Sequence, residues 1–362
     1  MKRTHGGNWA GYQKEYGAEP LDFSANISPL GVPDGVRKAI MTAAEEADRY
    51  PDPDCNALRE AISRHEGVCS EQVLCGNGAS DLIWRTIYAA KPRRVFVTAP
   101  CFGEYEAAAA AAGCAVVRIA LDSSFHLPEE FLQEINDNQD IVILCQPNNP
   151  SGISIDPKIL RKVVLRCSAT GTRLLLDECF VGFLDEPEQF AATCVLAQRG
   201  QSASDVLVQH PNLLILKAFT KLYALAGVRL GYLMCGDTTF LEAIQCAGQP
   251  WAVSSIAQTA GIAALQEIDY VNQLHAMIHS ERTWIYNELK RIGLLTLRGE
   301  ANFLLFRAAK PLDAALRAHG ILLRGCGDYA GLDECWHRVA VRTHAENKRL
   351  IAALCAVLEE RA

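Results

Sequence analysis

Short apolar runs alternate with amphipathic stretches from about residue 34 to 240. The amphipathic stretches predict helices at 34–47, 56–65, 80–90, 104–112 and 157–167. The apolar runs predict strands at 73–75, 95–99, 115–121, 141–145, 174–176 and 213–216. Runs without polar alternation are typical of strands that are buried on both faces. Because helices join them, they predict an α/β domain with a mostly parallel sheet.

The last third of the chain has a different pattern. Residues 255–292 form a nearly unbroken helical stretch without proline, long enough to connect two bodies. The elements predicted after it are a strand at 303–306, a helix at 312–319, a strand at 321–324 and a helix at 345–360. We therefore predict a large domain over 45–250 and a smaller α+β domain built from 1–44 and 251–362.

Composition and charge exclude some classes of function. Among 362 residues, 35 are Lys or Arg and 42 are Asp or Glu, which gives a formal net charge of −7. Such a chain has no general basic surplus for nucleic acid or an anionic membrane, so any anion must meet a local cluster of cations. The sequence has no apolar stretch of the roughly 18 residues that a membrane span needs. It also has no apolar run directly behind the two cations of residues 1–9, so we expect no secretory signal.

The 14 cysteines are scattered along the chain, and the closest two, Cys69 and Cys75, are six residues apart. The sequence therefore lacks the CxxC pairs that are typical of zinc and redox sites. We interpret the cysteines as small buried hydrophobic residues of a protein in the reducing cytoplasm, and we expect no metal site.

Polar residues follow several of the predicted strands, at the edge where ligands bind to a parallel sheet. They lie at 76–80 (GNGAS), 100–102 (PCF), 146–152 (QPNNPSG), 177–178 (DE) and 217–221 (KAFTK), with Arg229 further on. Taken singly, each has a structural interpretation as a turn, a helix cap or an exposed lysine. Together they supply an anion-binding helix N-terminus, a flat aromatic ring, an amide, a carboxylate and an amine. That set suits pyridoxal 5′-phosphate.

Four motifs carry a resemblance that extends over essentially the whole chain. They are GNG at 76–78, PNNPSG at 147–152, DE at 177–178 and FTKLYALAGVRLGY at 219–232. With these motifs the sequence resembles the fold-type I pyridoxal-phosphate enzymes of the aminotransferase class I/II superfamily. The resemblance implies a large domain with a mostly parallel sheet, a smaller α+β domain and pyridoxal 5′-phosphate as cofactor.

The resemblance also implies a role for each matching residue. Lys221 corresponds to the lysine that forms the Schiff base, whereas Lys217 lies four residues too early. Asp177 corresponds to the partner of the pyridinium nitrogen, Asn149 to the donor to the phenolic oxygen, and Phe102 to the ring that stacks on the cofactor. The residues implied to hold the cofactor phosphate are Gly78, Ala79, Ser80, Thr220, Arg229 and, from the neighbouring subunit, Tyr50. Ala218 departs from the family pattern, which usually has a hydroxyl residue there.

Within the superfamily, the sequence is more similar to the L-threonine-O-3-phosphate decarboxylases of cobalamin biosynthesis than to the histidinol-phosphate aminotransferases. The segments that carry this similarity are HGGN at 5–8, LDFSANISPLG at 21–31, RYPDPD at 49–54, PWAVSSIA at 250–257, ANFLLF at 301–306, LLRGCGDYAGLD at 322–333 and RVAVR at 338–342. Phe180 agrees with this reading, because aminotransferases commonly have a tyrosine three residues after the aspartate.

A phosphorylated amino acid carries two separated anions, and the C-terminal part of the chain offers the guanidinium groups of Arg324 and Arg342 for them. By the resemblance, Arg342 corresponds to the arginine that binds the α-carboxylate in the aminotransferases. The other residues implied to contact the substrate are His5, Gly6, Gly7, Asn8, Asn26, Asn149 and Asn302. On simpler interpretations, His5 is an ordinary terminal histidine, while Asn26 and Asn302 are turn residues.

The resemblance thus implies decarboxylation of L-threonine O-3-phosphate to (R)-1-amino-2-propanol O-2-phosphate and CO₂. Three alternatives stay open: an aminotransferase for histidinol phosphate or a related amino acid, a decarboxylase that prefers L-serine O-phosphate, and a binding module without turnover. The superfamily implies a homodimer with a shared active site. We expect a cytoplasmic enzyme that takes a small phosphorylated amino acid and has no nucleic-acid or membrane partner.

Overall fold

The computed structural model describes residues 6–359. Its strands are β1 (Leu21–Asp22), β2 (Val73–Gly76), β3 (Arg94–Ala99), β4 (Ala115–Ala120), β5 (Asp140–Cys145), β6 (Arg173–Asp177), β7 (Leu213–Ala218), β8 (Gly231–Cys235), β9 (Leu295–Thr296), β10 (Phe303–Arg307), β11 (Ile321–Leu322), β12 (Arg324–Gly325) and β13 (Trp336–Ala340). Its α-helices are α1 (Trp9–Tyr16), α2 (Asp34–Ala44), α3 (Asn56–Glu66), α4 (Ala79–Ala90), α5 (Gly103–Ala111), α6 (Pro157–Thr170), α7 (Ala192–Leu196), α8 (Ala203–Gln209), α9 (Phe219–Leu222), α10 (Thr238–Cys246), α11 (Ser255–Ala264), α12 (Ile268–Arg291), α13 (Asp313–Ala318) and α14 (His344–Glu359).

Seven strands form the central sheet in the order β2-β8-β7-β6-β5-β3-β4. The strands from β7 to β4 in that order run parallel, so the predicted α/β class with a mostly parallel sheet is confirmed. β8 was not predicted, and it runs antiparallel to both of its neighbours, β7 and β2. The strand begins at Gly231, and because glycine is depleted in strands, the sequence carries only a weak strand signal there.

Two separate cores bury the two faces of the central sheet. Ile141 and Ile143 of β5 pack in one core, whereas Val142 and Leu144 between them pack in the other. Successive side chains of a strand point to opposite faces, and helices cover both faces here. The strands therefore appear in the sequence as continuous apolar runs rather than as alternating patterns.

The C-terminal part of the chain forms a second, antiparallel sheet in the order β12-β13-β10-β9. The N-terminal segment joins it, because β1 pairs in parallel with β11. Phe303 and Val339 of this sheet belong to the same core as Leu175 and Leu216 of the central sheet. One continuous core thus joins the two sheets, and the division into domains at residues 45 and 250 stays a prediction.

The prediction of one nearly unbroken helix over 255–292 was wrong, because the chain breaks at 265–267 into α11 and α12. α11 packs against α2 and α3, whereas α12 contacts α14 and the strands β9 and β10. A single straight helix could not follow both surfaces. No helix within residues 6–359 combines the length and the apolar character that crossing a membrane requires.

Candidate active site

The carboxyl ends of the central strands and one face of the C-terminal sheet enclose a cavity of about 320 Å³. The predicted site residues that line it are Gly6, Asn26, Ala79, Ser80, Phe102, Asn149, Asp177, Thr220, Lys221, Arg229 and Arg324. Tyr105, Tyr329 and Arg338 also line it, and the sequence analysis had not singled them out. Most of the predicted residues follow a strand of the central sheet, and parallel strands end at the same edge.

Lys221 lies in α9, the short helix that follows β7. Burial, assisted by the charge of Arg338, lowers the pKa of Lys221 to about 8. A larger fraction of this amine is therefore neutral near pH 7 than for an exposed lysine, and the neutral amine is the nucleophile. Lys217 is not in the cavity lining, because its Nζ lies 2.7 Å from Oε2 of Glu66.

Asp177 ends β6, and its side chain is buried. Oδ2 accepts a hydrogen bond from the Tyr105 hydroxyl at 2.6 Å, and Oδ1 accepts one from the Cys179 backbone N–H at 3.0 Å. Burial raises the pKa of Asp177, and these two bonds oppose the rise. Each oxygen keeps a lone pair for a donor in the cavity. Tyr105 was missed because it lies inside α5 rather than at a strand end.

The turn before α4 forms a cradle for an anion. Gly78 has a φ of +83°, and a Cβ at this position would lie 2.8 Å from Nη2 of Arg229. Both the left-handed conformation and this close approach require glycine. α4 begins at Ala79 without a side-chain cap, so its first N–H groups are available to a ligand next to the Arg229 guanidinium.

The hydroxyl and aromatic residues predicted for the cofactor also face this cavity. Ser80 and Thr220 line it with their hydroxyl-bearing side chains, whereas Ala218 lines it without one. The ring of Phe102 lies edge-on to the ring of Tyr105 at a centroid distance of 5.6 Å. Phe180 lies edge-on to Phe303 at 5.1 Å, so an apolar ring occupies the place where aminotransferases commonly have a tyrosine.

The structure corrects the choice of the second substrate arginine. Arg342 lies beyond the end of β13, where its Nη2 is 2.7 Å from Oε1 of Glu346, and it does not line the cavity. Arg338, inside β13, does line it and donates from Nη1 to Oδ1 of Asn149 at 2.6 Å. The reason is strand register: Arg338 is paired directly with Arg324 across β13 and β12, so both side chains lie on one face.

This arginine pair leaves positive charge in the cavity. Two like charges directly opposite each other on a sheet repel. Arg324 is compensated by Asp328, whose Oδ2 lies 2.8 Å from its Nη2. Within residues 6–359, Arg338 donates to neutral oxygens of Asn149 and Ser24, and its Nε has no partner. An anionic ligand would offset the repulsion.

The other two predicted asparagines differ in position. Asn26 lines the cavity, and its buried Oδ1 has no hydrogen-bond partner in the part of the chain that is described. Asn302 is fully buried but does not line the cavity. Asn302 directly precedes β10 and lies opposite Val341. Val341 is three positions after Arg338, and residues an odd number of positions apart point to opposite faces of a sheet, so the Asn302 side chain lies on the face away from Arg338. The expected substrate contact through Asn302 was therefore wrong.

The N-terminal segment docks beside the cavity, and His5 lies outside the described residues. Gly6 lines the cavity, while Gly7 and Asn8 do not. The Gly7 N–H donates to Oγ of Ser24 at 2.8 Å. Oδ1 of Asn8 accepts a hydrogen bond from the Gly11 N–H and so caps α1. The Oδ1 atom of Asn8 thus serves as a helix cap, and a substrate contact through Asn8 stays a prediction.

Tyr50 lies on the surface and outside the cavity. Its side chain is 82% exposed, and its ring lies 4.8 Å from the ring of Trp251. Contact between Tyr50 and a cofactor in a neighbouring subunit stays a prediction.

Comparison with known proteins adds to this geometry. The sequence matches the family Aminotransferase class I and II over residues 18–354. It is 35% identical to the threonine-phosphate decarboxylase of Salmonella typhimurium, with 98% of this chain and 96% of that protein covered. It is 31% identical to a histidinol-phosphate aminotransferase of Symbiobacterium thermophilum, with 96% and 93% covered. The fold is similar to that of the histidinol-phosphate aminotransferase of Sinorhizobium meliloti in complex with pyridoxal-5′-phosphate, with a TM-score of 0.84, 23% identity, and 100% and 96% of the two chains covered.

The cavity fits pyridoxal phosphate on its own geometry. A Cβ at Gly78 would meet the Arg229 guanidinium, so glycine lets this cation lie directly beside the uncapped N-terminus of α4, where a phosphate would be bound. Asp177 would hold a proton on a ring nitrogen, and Lys221 would supply the amine that the aldehyde requires. Asp177, Lys221 and Arg229 line one cavity, and the buried side chains of Arg338 and Asn149 line the same cavity and remain for a substrate.

Proposed function

Because the chain belongs to the aminotransferase class I and II family and depends on pyridoxal phosphate, we propose that it decarboxylates L-threonine O-3-phosphate to (R)-1-amino-2-propanol O-2-phosphate and CO₂. The 35% identity to the threonine-phosphate decarboxylase of Salmonella typhimurium supports this choice. As in the cobalamin-biosynthesis enzymes that the sequence resembles, the product would be a building block of a cobamide.

One observation in the structure carries the proposal. Arg324 and Arg338 are buried side by side on one face of the C-terminal sheet, and both line the cavity that contains Lys221. Arg229 lies at the phosphate cradle of α4, so these two arginines remain for the substrate. A substrate with two anions, a phosphate and a carboxylate, matches two guanidinium groups.

The chain's own residues would divide the work of the reaction. When bound, pyridoxal phosphate supplies an electron-accepting ring for the electron pair that is released at Cα. Asp177 would keep the ring nitrogen protonated, which the Tyr105 and Cys179 hydrogen bonds allow by holding its carboxylate in place. Lys221, with its pKa lowered to about 8, would bind the cofactor and later return a proton to Cα.

The two arginines would decide which bond at Cα breaks. A bond breaks readily only when it stands perpendicular to the cofactor ring, because that orientation allows overlap with the ring electrons. Arg324 and Arg338 would bind the anionic groups from the sheet side of the cavity and so set the rotation about the bond from Cα to nitrogen. A decarboxylase holds the carboxylate perpendicular, whereas an aminotransferase holds the Cα–H bond there.

An aminotransferase that acts on histidinol phosphate is the second candidate. The 31% identity to the Symbiobacterium thermophilum enzyme favours it, since that relative is covered over 93% of its length. Phe180 counts against it, because the phenol that aminotransferases commonly place near the cofactor oxygen is missing. A preference for serine phosphate would rest on one methyl group, which is worth only about 1–3 kcal/mol in a pocket.

Side-by-side assays test the proposal. The purified protein, loaded with pyridoxal phosphate, is incubated with L-threonine O-3-phosphate, with L-serine O-phosphate, or with histidinol phosphate and 2-oxoglutarate. We expect CO₂ and the amino-alcohol phosphate from threonine phosphate without any oxo acid. Glutamate formed from histidinol phosphate and 2-oxoglutarate, together with no CO₂ from threonine phosphate, would replace the decarboxylase by the aminotransferase.

The shared active site is a further part of the proposal. Tyr50 and Trp251 form an exposed aromatic pair in a proline-containing surface segment, which suits contact with a second copy of the chain. Sedimentation of the loaded protein should give a dimer. A mixture of a Tyr50→Ala variant and a Lys221→Ala variant should then recover activity that neither variant has alone.

A further inference from the structure

A hydrogen-bond network lies behind the substrate end of the cavity, in the segment that begins with β1. Ser24 lines the cavity, and its main-chain oxygen accepts a hydrogen bond from Nη2 of Arg338 at 2.8 Å. Asp22 is buried beside Ser24 but does not line the cavity. Asp22 therefore reaches the substrate arginine only through its neighbour.

The Asp22 carboxylate holds the turn that presents this oxygen. Its Oδ1 accepts two hydrogen bonds from Ser24, one from the backbone N–H at 2.7 Å and one from the hydroxyl at 2.6 Å. A carboxylate that accepts from the N–H two residues further on closes a tight local turn. Hydrogen bonds to an ionised acceptor are shorter and stronger than those between neutral groups. The turn therefore holds the Ser24 carbonyl in the position from which it contacts Arg338.

The N-terminal segment supplies further partners of this network. Oδ2 of Asp22 accepts a hydrogen bond at 2.7 Å from the indole Nε1–H of Trp9, the first residue of α1. The Gly7 N–H donates to the Ser24 hydroxyl at 2.8 Å. A Cβ at Gly6 would lie 2.0 Å from the Ser24 carbonyl oxygen, so the segment packs directly on that carbonyl. Docking of the N-terminal segment and the position of the carbonyl thus belong to one network.

The guanidinium of Arg338 takes its orientation from two acceptors. Oδ1 of Asn149 accepts from Nη1 at 2.6 Å, and the Ser24 carbonyl accepts from Nη2. Because a guanidinium is planar, two fixed acceptors set its plane and direct its other N–H groups. If the Ser24 carbonyl were free to rotate, Arg338 would keep its charge and the bond to Asn149 but would lose its second fixed point.

We propose that Asp22 is a positioning residue that orients Arg338 through the Ser24 carbonyl, and that Trp9 completes the hydrogen bonds of its carboxylate. This inference rests on the proposed function, in which Arg338 binds an anionic group of the substrate. Asp22 contacts neither the cofactor nor the substrate. The hydrogen bond between Trp9 and Asp22 makes the docked N-terminal segment strengthen substrate binding through the arginine.

Asparagine at position 22 disturbs the network without changing the size of the side chain. An amide has one oxygen and one NH₂ group, so it must direct a donor either towards the Trp9 indole N–H or towards Ser24. We expect Asp22→Asn to raise KM about 5-fold and to change kcat by less than about 2-fold. The reason is that Arg338 still binds the anion, but more weakly, and by the same amount in the ground state and the transition state.

Asp122→Asn is the matched control for this variant. Oδ1 of Asp122 accepts the Ser124 N–H at 2.8 Å, which is the same turn two residues long, but Asp122 does not line the cavity. Asp122→Asn should leave both kinetic constants unchanged.

A double-mutant cycle shows whether Asp22 acts through Arg338. In a protein that already carries Arg338→Lys, Asp22→Asn should lower kcat/KM by less than about 2-fold, because an ammonium has no plane to orient. Losses that multiply would overturn the proposal, and so would an Asp22→Asn variant with unchanged KM. Steady-state kinetics with L-threonine O-3-phosphate measures the cycle. If the wild type instead transfers the amino group of histidinol phosphate, the proposed function fails, and the cycle is measured on that reaction.

Trp9→Phe tests the link to the N-terminal segment with a readout that does not need turnover. The change removes the indole N–H and keeps an aromatic ring at a position that is 45% exposed. Trypsin should cut the loaded protein after Lys14, an exposed residue of α1, about 3- to 10-fold faster in Trp9→Phe than in the wild type. KM should rise in the same variant, and this rise should not multiply with that of Asp22→Asn. If either the cleavage rate or KM stayed at the wild-type value, the proposal would be overturned.

Discussion

The two ends of the candidate active site are assembled in different ways. The cofactor end consists of residues in short motifs next to strands of one sheet, namely Gly78, Asp177, Lys221 and Arg229. At the substrate end, Arg324 and Arg338 come from a second sheet, and Arg338 contacts Asn149 and Ser24 from distant parts of the chain. A site built from local motifs can be recognised one motif at a time. A site built between sheets depends on strand register, and a shift of a few residues changes which side chain it contains.

Loss of the lysine should give the largest effect at the cofactor end. We expect Lys221→Ala to reduce turnover by roughly 10⁴-fold and to remove the visible absorbance of the lysine-linked cofactor. The measurements are CO₂ release from threonine phosphate and the absorption spectrum. Lys217→Arg, which keeps a cation beside Glu66, is the control and should keep the band. A band that persists in Lys221→Ala would disprove the lysine assignment.

The substrate end is tested by two arginines that lie four residues apart. Arg338→Lys should lower kcat/KM by roughly 10- to 100-fold, because a charge-assisted hydrogen bond is worth about 1.5–3 kcal/mol. Arg342→Lys should change it by less than about 2-fold, because that guanidinium pairs with Glu346 outside the cavity. The opposite ranking in steady-state kinetics would restore Arg342 as the substrate arginine.

A smaller effect is expected from the cradle glycine. Gly78→Ala should weaken cofactor binding by roughly 10-fold, because its positive φ and the approach to Arg229 both oppose a Cβ. Gly113→Ala is matched, since its φ is +75° with nothing within 4 Å of an added Cβ. That control should destabilise the chain by about 1–2 kcal/mol without changing cofactor affinity. If both variants bound the cofactor with equal affinity in a titration, the role of the Gly78 turn in holding the cofactor would be disproved.

The smallest effect concerns stability next to the arginine pair. His337 is fully buried, its Nε2 accepts the Leu312 N–H at 3.0 Å, and burial lowers its pKa. As pH falls through about 6.5, the unfolded chain gains a proton that the folded chain resists, so stability is lost. His337→Gln, which has an uncharged acceptor, should reduce this loss by about 1 kcal/mol between pH 7.5 and 5.5. Urea unfolding at both pH values measures it, and parallel curves for the two proteins would refute the prediction.

The fold was predictable where the pattern of the sequence is local. The continuous apolar runs predicted the parallel strands, because both faces of the central sheet are covered and most side chains of its inner strands β5, β6 and β7 are buried. The break at 265–267 was not predictable, because α11 and α12 follow different partners and no proline or cap in that segment marks the change. The antiparallel strand β8 was missed for a similar reason, since direction depends on the neighbours that a strand meets.

By itself, the sequence determined the fold class and the family and predicted the cofactor end, since each motif places its own chemistry at a strand end and the parallel sheet brings those ends together. The tertiary structure decided the rest. Pairing between β12 and β13 placed Arg338 in the cavity and left Arg342 outside, and the capping of α1 engaged Asn8. Folding also brought the Tyr105 hydroxyl to Asp177. These contacts join residues that are distant in sequence, and their geometry follows from register and packing, which no local pattern records.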